Sequence, residues 1–206
     1  MFNNLSLTEI GVVFISILVS MAIHEATHAY VSHWLGDTTA QDMGRLTLNP
    51  FKHIDIFTTV LLPILLIFLH LPPFFAAKPV PFNPERVKYG EYGAAMVGVA
   101  GPLTNLLLAI CAALALHVFG NGSIANYLLI FMQVNISFFV FNMIPFPPLD
   151  GSRLLYAIAP EWLQRIMYQI ESFGFMSILI FMLLIFQFIS PVIYSVSVGL
   201  MNLLLG

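Results

Sequence analysis

The residues with the most chemistry to offer are His24, Glu25 and His28, which stand together in an otherwise apolar run. Positions four apart lie on one face of a helix, so the two imidazoles could hold a single metal ion. Glu25 projects about 100° round the helix from His24, within reach of a water on the metal but poorly placed to be a ligand. The pattern predicts a metal-dependent hydrolytic site. A chance match is the alternative, but ionisable groups in a lipid-embedded helix are costly and usually functional.

The composition of the 206-residue chain predicts a membrane protein. Hydrophobic residues make up 59% and charged residues 8%, against about 25% charged in soluble proteins, and the mean hydropathy is +0.92. Residues 92–149 and 172–206 contain no Asp, Glu, Lys or Arg. Each stretch exceeds the roughly 20 residues that a helix needs to cross the bilayer. No basic stripe exists to bind phosphates, which excludes nucleic acid as a partner.

Helix start and stop signals place the histidines on the first of three core spanning helices. This span is expected to run from Thr8, as the N-cap, to a stop at Gly36. The other two are predicted at residues 91–119 and 124–144, joined by a glycine-containing turn into an antiparallel hairpin. All of residues 1–206 should form a single domain, because no part of the chain offers the roughly 100 residues of a soluble module.

Two shorter segments lie between the first and second core helices. Residues 39–48 are polar and could form a short strand or β-hairpin around Gly44. Residues 56–72 are apolar but only 17 long and contain Pro63, which suits a re-entrant segment as well as a short span.

The tail is expected to cross the membrane once and then break at Ser190 and Pro191. The last 15 residues are too few for an easy second crossing, so an interfacial or re-entrant helix is equally compatible with them. The predicted fold class is thus an all-α polytopic membrane protein with three core spans, a re-entrant segment, short β-hairpin elements at the cytoplasmic face and one or more C-terminal helices.

The end of the third predicted span offers a third metal ligand. Residues 142–151 contain three prolines, so the helix must unwind there and free backbone groups at membrane depth. Asp150 could complete a site of two histidines and one carboxylate, leaving the fourth tetrahedral position for water. Asp150 could instead cap the helix beginning at Ser152. Because no better third ligand lies in a span, we favour Asp150 as a ligand.

Three motifs together resemble the site-2 protease family of intramembrane zinc metalloproteases, peptidase family M50. They are residues 24–28 (His-Glu-Ala-Thr-His), 101–105 (Gly-Pro-Leu-Thr-Asn) and 142–151, and the similarity covers roughly residues 20–155. Many members of this family carry an extra span before the histidine motif, or a PDZ or CBS module. Neither is evident here, so a minimal form is expected.

The resemblance implies Zn²⁺ bound by His24, His28 and Asp150, with Glu25 as the catalytic base. The implied activity is endopeptidase cleavage of the transmembrane segments of single-span membrane proteins. We expect a multi-pass protein of a prokaryotic cell membrane, with its active site toward the cytoplasmic side and the lipid bilayer as its surroundings.

Other polar residues have less specific roles. Asn105 and Asn142 could steady the developing oxyanion as neutral donors, or form hydrogen bonds between helices, as polar residues in spans commonly do. His53 lies just outside a predicted span and is expected at the surface or beside the ligands rather than on the metal. An unwound substrate could add to an exposed strand edge, for which residues 39–48 are the candidate and the apolar hairpin 74–82 the alternative.

A constraint on topology follows from the shared metal. Residues 24–28 and Asp150 can meet only if both lie toward the same membrane face. If residues 56–72 crossed fully, the next two helices would return Asp150 to the opposite face, so this segment should be re-entrant, with Pro63 near its turn. All seven Lys and Arg residues then share one side, which the positive-inside rule makes cytoplasmic, with the N-terminus outside.

A non-catalytic metal-binding membrane protein, either a transporter or a decayed protease kept as a scaffold, is the rival interpretation. A transporter should show polar groups along a path across the bilayer, whereas the ionisable residues here cluster at one depth. A decayed protease should lack at least one of His24, Glu25, His28 and Asp150, and all four are present.

Overall fold

The computed structural model describes residues 6–69, 78–120 and 122–206, and these residues form helices and turns with no β-strand. Four helices within this part of the chain are long and apolar enough to cross a membrane: Leu7–Trp34, Glu91–Phe119, Ser123–Asn142 and Met176–Leu205. The protein is therefore an all-helical, polytopic membrane protein.

The helices are, in chain order, α1 Leu7–Trp34, α2 Thr39–Asp42, α3 Leu62–Phe68, α4 Glu91–Phe119, α5 Ser123–Asn142, α6 Ser152–Ile158, α7 Glu161–Ser172, α8 Phe175–Ile180 and α9 Phe186–Leu205. Two π-helical turns, Ile56–Leu61 and Phe181–Ile185, lead into α3 and α9, and a 3₁₀ turn covers Pro50–Lys52. The second π turn joins α8 to α9 without a break, so the last apolar helix is continuous.

Helix α4 is the centre of the bundle and packs against α1, α5 and α6. Small residues on its buried face allow the neighbouring backbones to come close. At Gly98, a Cβ atom would lie 2.7 Å from the Cβ of Arg153 and 2.9 Å from the carbonyl oxygen of Asp150. Only glycine therefore lets the Asp150 loop pack directly on α4.

The end of α1 and the start of α4 meet at the same end of the bundle. Gly36, with φ +106°, follows α1 as predicted. The Lys88 N–H donates to the Leu35 carbonyl over 2.9 Å, and Leu35 packs with Val87 and Val97. The end of α1 and the residues just before α4 are therefore held together at one end of the bundle.

The β-hairpin predicted for residues 39–48 is wrong, because helix α2 occupies the first half of this segment. The Arg45 N–H donates to the Ala40 carbonyl (2.8 Å) and the Gly44 N–H to the Gln41 carbonyl (2.9 Å), with Gly44 at φ +64°. This pair of bonds is the Schellman motif that ends helices. Gly44 thus stops a helix and does not form a hairpin turn.

Two helix boundaries also differ from prediction. Helix α1 begins two residues earlier, with Ser6 rather than Thr8 as its N-cap. The predicted break at Ser190 and Pro191 is absent, because α9 continues through the proline. Proline cannot donate to the Gln187 carbonyl, and the Ser190 hydroxyl donates to that oxygen instead, over 3.3 Å.

The predicted re-entrant segment is described only in part. Residues 56–68 form the first π turn and α3, 13 residues in all, which is too short to cross a bilayer. The segment is helical on both sides of Pro63, so the chain does not reverse at Pro63 as predicted. Residues 70–77, and with them the first four residues of the predicted 74–82 hairpin, lie outside the described residues, and residues 78–82 form neither helix nor strand.

A buried carboxylate joins the end of α1 to the chain that precedes α4. Asp37 is fully buried. Its Oδ1 accepts from the Thr39 N–H (3.0 Å) and hydroxyl (2.5 Å), and its Oδ2 accepts from the Ser32 hydroxyl (3.0 Å) and the Asn83 N–H (2.8 Å). Burial opposes ionisation, but these donors outweigh it and lower the pKa of the Asp37 carboxyl.

The Asp37→Asn variant should be less stable than the wild type in a pH-dependent way. Asparagine has one acceptor oxygen for two pairs of donors, which costs about 1–3 kcal/mol. Because the folded pKa of Asp37 lies below the unfolded value of about 3.9, its stabilisation is present above that pH and is lost as the pH falls through the folded pKa. Thermal unfolding in detergent should show a gap in melting temperature between the two proteins at neutral pH, and this gap should narrow in acid. Asp42→Asn, at an exposed position nearby, should show no such gap.

Candidate metal centre

Three side-chain atoms from α1 and the loop between α5 and α6 converge. His24 Nε2 lies 3.0 Å from Asp150 Oδ2 and 3.0 Å from His28 Nε2, and His28 Nε2 lies 3.4 Å from the same Asp150 oxygen. Both histidines are buried, and Asp150 is half-buried. The structure thus brings together the three residues that the sequence nominated as ligands.

The hydrogen bonds of the two imidazoles turn their Nε2 lone pairs toward this centre. His24 Nδ1 lies 2.5 Å from Asn105 Oδ1, and His28 Nδ1 lies 2.7 Å from the Val97 carbonyl oxygen. Carbonyl oxygens only accept hydrogen bonds, so Nδ1 carries a proton in each ring, and in the neutral imidazole this leaves the Nε2 lone pair for a cation.

The spacing of the three donor atoms fits a small cation. Two imidazole nitrogens and one carboxylate oxygen are a zinc-type donor set, and tetrahedral ligands about 2.0–2.2 Å from zinc lie about 3.4 Å from one another. The separations of 3.0, 3.0 and 3.4 Å are close to this value. Three buried acceptors at these distances repel one another unless a cation lies between them.

A chain of amides across three helices fixes the orientation of His24. Asn135 on α5 donates from Nδ2 to the Phe131 carbonyl (2.9 Å), so its Oδ1 accepts from Asn105 Nδ2 (2.9 Å). Asn105 must then present Oδ1 to His24. Both ends of the Asn105 amide are used within the protein, which favours interhelical bonding over an oxyanion role. Asn135 was not identified from the sequence, although an asparagine within an apolar helix was a usable signal.

Helix α4 also shapes the centre through the absence of a side chain. At Gly101, a Cβ atom would lie 2.7 Å from His24 Nε2 and even closer to His28 Nε2. A methyl group there would occupy the space that the two ligand nitrogens face. The predicted motif 101–105 therefore contributes twice, with Gly101 leaving room for a cation and Asn105 orienting a ligand.

The centre lies well inside the apolar part of α1. His24 is ten residues and His28 six residues before Trp34, where α1 ends. At 1.5 Å per residue, the ligands lie about 15 Å and 9 Å from that end of the helix. Half the thickness of the hydrocarbon core is about 15 Å, so the donor atoms are at membrane depth.

Glu25 lies beside the three ligands without joining them. Its side chain is buried, and its Oε2 accepts a hydrogen bond from the Val80 N–H over 2.9 Å. The Val80 contact comes from the main chain, so no residue type in the sequence announced it. Glu25 thus has one fixed oxygen and is not needed to complete the donor set.

The hydrogen bonds of the remaining predicted residues are made to main-chain carbonyls. Asn142 donates to the Phe138 carbonyl of its own helix over 3.1 Å. His53 is fully buried, which rules out the surface position considered for it, and its Nε2 lies 2.8 Å from the Thr47 carbonyl oxygen. Helix α6 has Gly151 as its N-cap and no side-chain cap, so the Asp150 carboxylate is engaged with the histidines rather than with the helix end.

Known sequences place the chain in a family. A profile described as peptidase family M50 matches residues 117–186. The chain is 37% identical over 176 residues to "Putative zinc metalloprotease YwhC" of Bacillus subtilis (strain 168), a match that covers 81% of this chain and 77% of the relative. The chain belongs to peptidase family M50.

A second relative is more distant in sequence. "Putative zinc metalloprotease Rip2" of Mycolicibacterium smegmatis is 28% identical over 188 residues, which is 86% of this chain and 70% of that protein. No solved structure matched the chain. Membership of the family agrees with the helical membrane architecture and with the resemblance carried by residues 24–28, 101–105 and 142–151.

Replacing Gly101 by alanine should displace the metal. The new methyl group would overlap the ligand nitrogens, so we expect zinc affinity to fall at least about 10-fold, the lower end of the effect of disturbing the surroundings of a metal. Zinc content of the purified variant, measured by atomic emission, checks this. Gly11→Ala is the matched control, because it is a helical glycine on the same bundle with open space around its Cβ position. Equal zinc content in both variants would contradict the geometry.

Proposed function

We propose that this protein is an intramembrane zinc endopeptidase that cleaves the transmembrane segments of single-span membrane proteins. The observation that carries the proposal is the convergence of His24, His28 and Asp150 at membrane depth, with Glu25 beside them but outside the donor set. Membership of family M50 and the printed names of the two relatives support zinc as the metal and proteolysis as the reaction.

The chain's own residues divide the work of peptide hydrolysis. Bound Zn²⁺ supplies a Lewis acid that polarises a carbonyl group and makes water a nucleophile near neutral pH. Glu25 takes the proton from the attacking water and returns it to the leaving amine nitrogen. Asn105 holds His24 in the tautomer that leaves Nε2 free.

The Glu25→Gln variant should distinguish an enzyme from a protein that only carries a metal. The glutamine cannot accept a proton, so cleavage should fall on the order of 10²–10⁴-fold or more, while zinc stays near one ion per chain because Glu25 is not a ligand. Proteomic comparison of membranes that contain the wild type or the variant should show a single-span protein that accumulates uncut in the presence of the variant.

The ligand variants give the opposite pattern and serve as controls. Alanine at His24, His28 or Asp150 should each lower zinc content. Loss of zinc from Glu25→Gln, or full zinc and activity in Asp150→Ala, would contradict the assigned roles. A Glu25→Gln protein with unchanged function would favour a non-catalytic metal-binding protein.

We also propose that residues 56–72 form a re-entrant segment, with the site toward the cytoplasm and the N-terminus outside. The hydrogen bond between Leu35 and Lys88 supports this, because it joins the end of α1 to the start of α4. Helix α3 is too short to span, and its Leu62 is fully buried against the first turns of the last apolar helix. All seven basic residues then lie on one side, as the positive-inside rule requires.

Cysteine labelling tests this topology. Single cysteines at Met43, Arg86 and Ser123, all exposed positions, are introduced with Cys111→Ala, which removes the native exposed cysteine. The first two should react with an impermeant reagent from the cytoplasmic side and the third from the exterior. Opposite sidedness of positions 43 and 86 would exclude the re-entrant arrangement.

A further inference from the structure

The segment that contacts Glu25 is hydrogen-bonded to the rest of the protein at both of its ends. Residues 78–83, which we call the strap, form neither helix nor strand. At its start, the Lys78 N–H donates to the His53 carbonyl (2.8 Å), and the Lys78 carbonyl accepts from Arg45 Nη2 (2.7 Å). At its end, the Asn83 N–H donates to Asp37 Oδ2 (2.8 Å). These fastenings lie outside the metal ligands.

The middle of the strap touches the site itself. The Val80 N–H donates to Glu25 Oε2 over 2.9 Å, and the Val80 side chain packs against Ala29 of α1 and Ala40 of α2. Residues 79 and 81 are prolines, which fix φ and have no N–H. The two prolines restrict the backbone on both sides of Val80, so we expect a displacement at either end of the strap to shift the N–H group that faces Glu25.

The two side chains that fasten the strap are charged and buried. Arg45 is 8% exposed and Asp37 is fully buried, and neither forms an ion pair with another described residue. Arg45 donates instead to the carbonyls of Lys52 and Lys78, and Asp37 accepts from two N–H groups and two hydroxyls. Buried charges are expensive, so their use to hold main chain marks a position that must be fixed closely.

We propose that Asp37 and Arg45 are positioning residues for Glu25, acting through the strap and the Val80 N–H. The inference rests on the proposed function, in which Glu25 is the proton acceptor. A carboxylate held on one oxygen keeps the other aimed at the reacting water. A misplacement of about 1 Å in such a group can cost about 10²-fold in rate.

The test uses the full-length, zinc-loaded protein in detergent, with Asp37→Ala and Arg45→Lys as the variants. Hydrogen exchange is measured in the segment 79–84. Three of its six residues are prolines, so only Val80, Phe82 and Asn83 carry an exchangeable amide there. Exchange at Val80 should become faster in both variants. The kcat for a single-span reporter that the wild type cleaves should fall about 10–10²-fold, with KM within about twofold and zinc content unchanged.

Two controls make the outcome specific. Asp42→Ala, at an exposed residue between Asp37 and Arg45, should leave the exchange rate of Val80 and kcat unchanged. Glu25→Ala should free Val80 but leave Asn83 protected, which separates the contact with the base from the fastening at the end of the strap. If Asp37→Ala does not fold, Arg45→Lys decides, since lysine keeps the charge but cannot reach two carbonyls with one fork.

The proposal is overturned if folded variants show unchanged Val80 exchange, if kcat stays at the wild-type value, or if activity falls only in step with zinc. A wild type that binds zinc but cleaves no reporter would instead refute the proposed function. In that case the exchange data would still show whether Asp37 and Arg45 fix the strap.

Discussion

Two imidazole nitrogens and a carboxylate oxygen lie within 3.4 Å of one another at membrane depth, and this contact governs the rest of the structure. Three hydrogen-bond acceptors packed so closely together, away from water, are tolerable only around a positive charge. The fold must therefore deliver them with their lone pairs directed inward, hold them there, and leave space for an ion. Each main feature of the bundle meets one of these requirements.

Helix α4 meets most of them. Its Val97 carbonyl and Asn105 amide set the tautomers of the two histidines, and its glycines let α1 and the Asp150 loop come close enough to share an ion. Helix α5 contributes Asn135, which fixes the Asn105 amide. The centre is thus built from α1 and one loop, but its geometry is set by the two helices behind them.

The sequence predicted the parts of the site that depend on residue type and spacing. Histidines four apart, a carboxylate after a proline-broken helix, and the bounds of α4 could all be read from local patterns. The contact of Val80 with Glu25 could not, because any residue with an N–H can make it. The α2 segment was misread because a glycine at positive φ ends helices and turns hairpins alike. The continuation of α9 past Pro191 depended on a neighbouring serine that replaces the missing donor.

The hydrogen-bonded line from Asn135 through Asn105 to His24 has a consequence for how the protein is made. Helix α1 enters the membrane first, carrying two histidines and a glutamate, which are unfavourable guests for lipid. Their hydrogen-bond partners Val80, Val97 and Asn105 follow 55, 69 and 81 residues later in the chain. The polar side chains of α1 therefore gain their partners only once the chain through α4 has been made, and the third donor, Asp150, follows 126 residues after His24, so the metal centre is assembled late in synthesis.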